Sequence, residues 1–244
     1  MGAIQGESMF FYFDPLYMVV MLVGVALSVW ASAKVKGAFK RYKEVPASFG
    51  ITGMQVAQRI LQRAGVNCAI EPVQGRSFFG NDGGDLSDHY DPRSKTVRLS
   101  PSVYSGNSIA AYGIAAHEVG HAIQHAQGYK LLQIRNAIVP VANIGSQMSY
   151  WLIILGFMLH TLALAKLGII LFSAAVFFQI ITVPVELDAS RRAKKYLREL
   201  GLTTSVEESK GVAAVLDAAA LTYVAAAATA ILNLLYLIMR YNRR

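Results

Sequence analysis

Charge is scarce in this 244-residue chain: Asp, Glu, Lys and Arg make up 16% of it, while 54% is hydrophobic. An ordinary soluble domain carries about a quarter charged residues. The deficit is concentrated in four uncharged runs, Leu16 to Ala33, Ala137 to Leu159, Leu167 to Val185 and Ala218 to Met239. Each is long enough to cross about 30 Å of hydrocarbon as a helix. Burial of all four as core helices of a soluble protein is the plain alternative, but too little polar chain remains to cover them. Lys and Arg are absent before the first run, where only Glu7 and Asp14 are charged. A cleavable signal peptide needs a basic start, so the first helix reads as an anchor with its N-terminal tail outside. There is one cysteine, Cys68, which excludes an internal disulfide and fits a reducing compartment. Basic patches interleaved with exposed aromatics are lacking too, which argues against a nucleic-acid partner despite a formal charge of +8. The glycine-rich stretch "GRSFFGNDGGD" lacks the spacing and following lysine of a phosphate loop and reads as a mobile loop.

What is present begins with the placement of the basic residues. Lys34, Lys36, Lys40, Arg41 and Lys43 follow the first apolar run, and Arg191 to Arg198 follow the third. By the positive-inside rule those flanks are cytoplasmic. Residues 1–33 are then an N-terminal transmembrane anchor and 34–136 a cytoplasmic α+β unit. Residues 137–185 form a transmembrane hairpin with its outer turn near His160 to Lys166. Residues 186–244 hold a further polar helix and the last apolar helix. A fourth crossing leaves Arg240, Arg243 and Arg244 outside, against the charge rule, and lying along the interface is the alternative for that helix. The expected fold class is a mostly α membrane protein with about four transmembrane helices and a small cytoplasmic α+β unit.

Within the polar unit, Thr52 and Gly65 bracket a helix as N-cap and C-cap. "CAIEPV" and "LSDHYDPRSKTVRLS" read as strands, the second as a hairpin turning at "DPRSK". A helix is expected from Asn107 or Ser108 to Gly128. Pro184 marks an end or kink of the third membrane helix, "VPVELDASRRAKKYLREL" is helical and closed by Gly201, and Ser205 with Glu208 has capping-box spacing.

The stretch "AAHEVGHAIQHAQG" carries three of the five histidines and one glutamate within nine residues. His117 and His121 are four apart, about 40° apart on a helix, so both imidazoles reach one ion. Glu118, next to the first, is placed to act on a water that the metal activates. Zinc held by three protein ligands with an open position lowers the pKa of water to about 7. Glu118 would take the proton as water attacks a peptide carbonyl and pass it to the leaving amine. His125 lies about 80° around from His117 and cannot join them on a rigid helix. The longer motif with a third histidine needs glycine and histidine where this chain has Gln124 and Gln127. The missing ligand is expected to be a later carboxylate. Glu207 and Glu208 look like helix-start residues and Glu199 like a solvated charge. Glu186, at the end of an apolar run, is costly to bury without a partner, which zinc would supply. A salt bridge to nearby arginines is the bland alternative. Asp188 and Asp217 are candidates to orient the histidines from behind.

An HExxH helix, a membrane hairpin and then "VELDASRRA" resemble the membrane-embedded gluzincin peptidases of the HtpX and CAAX-prenyl protease type. The resemblance implies that the first glutamate of an ExxxD motif, here Glu186, is the third zinc ligand. The family's aspartate falls on Ser190, a departure that Asp188 or Asp217 would have to cover. "SDHYDPRSKTVRLSP", "AAHEVGHAIQHAQGY" and "LTYVAAAATA" resemble the YugP-type bacterial neutral zinc metallopeptidases along nearly the whole chain. That resemblance implies an edge strand in "SDHYDPRSKTVRLS" that holds substrate backbone, an ordinary structural hairpin being the alternative. Tyr223 and His89 are candidates to stabilise the oxyanion. Together these readings describe a zinc endopeptidase in the bacterial plasma membrane, multi-pass, its active site facing the cytoplasm. It would use one Zn²⁺ on His117, His121 and Glu186, and Glu118 as general base. Its partners are a protein or peptide substrate and the lipid bilayer; a larger membrane assembly or a homo-oligomer is compatible with the sequence. The rivals are a catalytically silent metal-binding scaffold, which has no need of Glu118, and a transporter, which has too few ionisable residues in its apolar runs.

Overall fold

The computed structural model describes residues 14–73 and 87–242; the glycine-rich stretch, Glu7, Arg243 and Arg244 lie outside them. The described chain is mostly α-helical with one small sheet. In order the elements are α1 (Pro15–Lys43), α2 (Gly53–Ala64), β1 (Ala69–Pro72), β2 (His89–Asp91), β3 (Thr96–Leu99), α3 (Pro101–Tyr104), α4 (Ile109–Ala126), α5 (Lys130–Met158), α6 (Leu162–Glu199) and α7 (Val206–Asn242). Four of them, α1, α5, α6 and α7, are long and apolar enough to cross a membrane. Each extends past its apolar run, because helix hydrogen bonding continues into polar sequence on the same axis.

α6 is one helix of 38 residues that continues through Pro184. Proline removes a single backbone donor, and a helix with tertiary support on both sides tolerates that loss. The turn before α6 is shorter than the sequence suggests. It occupies Leu159 to Thr161, with His160 in the left-handed region at φ 53°.

Contacts divide the chain into two compact units. Of the described residues, one comprises 14–31, Ile134–Val183 and 222–242; the other comprises 32–73, 87–133 and Pro184–Leu221. In the first, large apolar side chains such as Leu22, Trp151, Met158 and Ile170 are exposed, as lipid-facing residues would be. Its helices approach through glycine: a Cβ at Gly145 would lie 2.7 Å from the Leu171 carbonyl, and one at Gly168 would lie 2.7 Å from Ile153 Cγ1. Such close backbone approach is how helices associate where lipid offers no hydrophobic drive. Tyr236 donates to Asp14 Oδ2 at 2.9 Å, and the Arg240 charge acts on both groups.

The second unit has a core of a different kind. α2 begins with a capping box, Thr52 accepting from the Gln55 amide while Gln55 caps Thr52 in return, and ends at Gly65 with φ 66°. Its Val56, Ala57, Ile60 and Leu61 are buried on one face, against α4. β3 is the central strand, with β1 parallel on one side and β2 antiparallel on the other. Thr96, Val97 and Leu99 of β3 are buried. α4 starts at the N-cap Ser108, whose hydroxyl accepts from the Ala111 amide at 3.2 Å. Its chain leaves through Gly128 at φ 64°. α7 opens with the expected reciprocal cap, the Glu208 amide donating to Ser205 Oγ at 3.0 Å and the Ser205 amide to Glu208 Oε2 at 3.3 Å.

Candidate metal centre

α4 is buried on nearly every side, from Ile109 to Ala116 and from Glu118 to Gln124. A helix can be that enclosed only if its neighbours come close, and its small residues allow this. A Cβ on Gly120 would lie 2.7 Å from the Ala189 carbonyl of α6. Gly120 thus sets the separation of α4 and α6 at the level of the histidine motif.

That approach brings together residues far apart in sequence. Glu186 Oε2 lies 3.2 Å from His117 Nε2, across 69 positions, and 3.4 Å from His121 Nε2. The two imidazoles stand nearly perpendicular, at 87°, with centroids 4.8 Å apart. His117, His121 and Glu186 form a group able to hold a metal ion, their donor atoms all within 4.8 Å of one another. Glu186 is only 2% exposed, and a carboxylate so buried needs a positive partner. Burial alone disfavours a charged His121; the hydrogen bond and charge of Glu186 outweigh it and raise the pKa. A cation shared by two ring nitrogens and a carboxylate satisfies all three. Two nitrogens and one oxygen, with Glu118 alongside, are also the donor set of three-ligand zinc sites.

Each imidazole is held from behind. His117 Nδ1 lies 3.1 Å from Ser190 Oγ, so the residue that departs from the ExxxD pattern is itself the partner. His121 Nδ1 lies 3.0 Å from Gln124 Oε1, a contact the spacing of the motif did not suggest. Asp188 stands one side chain further back, bound to Gln124 and Arg192. Asp217, the other expected orienting acid, is instead paired with Lys194 at 2.8 Å on the surface. Glu199 and Glu207 are exposed, and Glu208 is engaged in its cap.

Glu118 is 9% exposed and acts electrostatically on His121 and on Asp88. Asp88 precedes β2 and accepts from the Ser100 amide at 2.7 Å and from the Ser100 hydroxyl at 3.1 Å, which clasps the open end of the hairpin. Burial pushes its carboxyl up to about 6, with the Glu118 charge adding to the effect. His125 and the Tyr90 hydroxyl share a hydrogen bond of 2.7 Å, tying the last turn of α4 to β2. His89 is exposed, its Nδ1–H donating to the Ser87 carbonyl at 3.0 Å, and Tyr223 belongs to the other compact unit.

A protein with four membrane-length helices and a His–His–Glu group shared between an HExxH helix and a later helix has the layout of a membrane metallopeptidase, and comparison agrees. Residues 17–242 match the family described as "Putative neutral zinc metallopeptidase", and the chain belongs to that family. It is 47% identical over 225 residues to the protein named "Putative membrane protease YugP" of Bacillus subtilis (strain 168), covering 92% of this chain and 96% of that relative. No solved structure matches it.

Proposed function

We propose that the protein is a zinc-dependent endopeptidase of the bacterial plasma membrane, cleaving protein or peptide substrates at the cytoplasmic face. The observation that carries this is the approach of Glu186 Oε2 to both His117 Nε2 and His121 Nε2, at 3.2 and 3.4 Å. One Zn²⁺ held there by His117, His121 and Glu186 supplies Lewis acidity, polarising a peptide carbonyl and lowering the pKa of water to about 7. Glu118 takes a proton from the attacking water and delivers it to the leaving nitrogen. Its burial keeps that proton exchange away from bulk solvent.

The sheet supports the same reading. Among the described residues β1 and β2 are the two edges, and β1 ends at Pro72, which has no amide to donate. β2 is the edge tied to α4, through Tyr90 and His125. An extended peptide added to β2 would therefore be held in fixed register with the motif helix. The cytoplasmic assignment rests on Lys34 to Lys43 and Arg191 to Arg198 flanking the polar unit. A silent metal-binding scaffold would have no use for a carboxylate at position 118.

The test compares wild type with Glu118→Gln, purified in detergent, for zinc content and for cleavage of a casein-type substrate. Zinc should be retained at one per chain, while cleavage falls by about 10²- to 10⁴-fold, the span removed with a general acid–base group. Equal cleavage by the two proteins would exclude the mechanism.

A further inference from the structure

The two glutamines that break the three-histidine pattern, Gln124 and Gln127, both have defined partners. Gln124 is fully buried, at 0% exposure. Its Nε2 lies 2.9 Å from the Val185 carbonyl and 2.9 Å from Asp188 Oδ2. Asp188 also receives Arg192 Nε at 2.6 Å, so it is an ionised carboxylate. A carbonyl and a carboxylate only accept, so the amide nitrogen must face them and the side chain cannot be turned around. Gln124 Oε1 then faces His121 Nδ1, at 3.0 Å. An amide oxygen also only accepts, so Nδ1 of His121 carries a proton and Nε2, on the side of Glu186, is the nitrogen left to bind a metal. Arg192 Nη1 in turn donates to Gln127 Oε1 at 2.5 Å, anchoring the far end just past the C-terminus of α4. His117 is held differently: the Ser190 hydroxyl can donate or accept, so it positions the ring without choosing its tautomer.

We propose that Gln124 and Asp188, braced by Arg192 and Gln127, are positioning residues that lock His121 in the metal-binding tautomer. They give His121 a backing partner, as Ser190, at the aspartate place of the ExxxD pattern, gives one to His117. The inference rests on the zinc reading above and deepens it, since it concerns how a ligand is prepared rather than which residues bind.

The experiment uses the full chain in detergent and two readouts besides activity: the rate of zinc release to a chelator, and the visible absorption of the Co²⁺-substituted protein. Gln124→Glu sets a carboxylate against Asp188 and the Val185 carbonyl, and zinc should be held about 10- to 100-fold less tightly, with an altered Co²⁺ spectrum. Adding Asp188→Asn to Gln124→Glu restores a donor between the two positions. The double variant should recover most of the zinc retention and the wild-type spectrum. Unchanged zinc release in Gln124→Glu, or a double variant whose losses simply multiply, would overturn the relay and leave the peptidase reading standing. Wild-type protein that binds no zinc would overturn both.

Discussion

In the membrane unit, helices meet glycine to backbone or glycine to methyl group, as at Gly145 with Leu171, Gly156 with Ala165 and Gly24 with Thr229. In the polar unit the same device, Gly120 against Ala189, lies beside a row of polar contacts from α4 to α6: His117 to Glu186 and Ser190, and Gln124 to Val185 and Asp188. The difference shows what close approach is for. In lipid it supplies packing energy by itself. In the polar unit it sets the distance across which donors and acceptors from two helices must match, so a small displacement is felt as lost polar contacts before it is felt as lost packing.

That contrast predicts which substitutions harm only the metal unit. The largest effect is expected from Glu186→Ala, which removes the only carboxylate of the group: zinc measured by metal analysis should fall well below one per chain, and cleavage with it. Next is Gly120→Ala. The new methyl group must push α4 from α6, at about 1–3 kcal/mol of stability. Zinc retention should drop along with the thermal midpoint. Gly156→Ala, inside the membrane unit, should lower the thermal midpoint by a comparable amount yet leave zinc at one per chain. If it strips zinc as Gly120→Ala does, the two units are not separable in this way. The smallest effect concerns Asp88. Its folded pKa of about 6 exceeds the ordinary aspartate value of about 4, so the neutral form is favoured on folding. The stability it contributes is fully present below the ordinary value and is lost as pH rises through about 6. Asp88→Asn should therefore flatten the fall in thermal midpoint between pH 4.5 and 7, these bounds being set roughly around that interval.

The short-range features were legible in the residues. Thr52, Gly65, Ser108 and Gly128 bracket α2 and α4 as caps or exits because capping is settled within a few positions along the chain. The "DPRSK" turn falls between β2 and β3, with Asp91 accepting from the Arg93 amide at 2.9 Å. The meeting of Glu186 with His117 and His121 was legible too, since an acid buried at the end of an apolar run calls for a cation. Less legible was Pro184, which neither ends α6 nor divides the helix, because one missing donor is a local loss that surrounding packing outweighs. Asp217 and Asp188 looked alike as orienting acids, and nothing in their spacing told them apart.

The sequence alone determined four membrane-length helices, a basic flank and an HExxH helix, since periodicity, capping and charge asymmetry act over a few residues or along one segment. Only the tertiary structure decided that Ser190 backs His117, that Gln124 rather than a lone acid backs His121, and that Asp217 serves the surface. The contacts of Ser190 and Gln124 with the other helix join positions 61 to 73 apart, and they exist because Gly120 lets two helices lie close enough for side chains of fixed length to meet; Asp217 meets Lys194 across 23 positions.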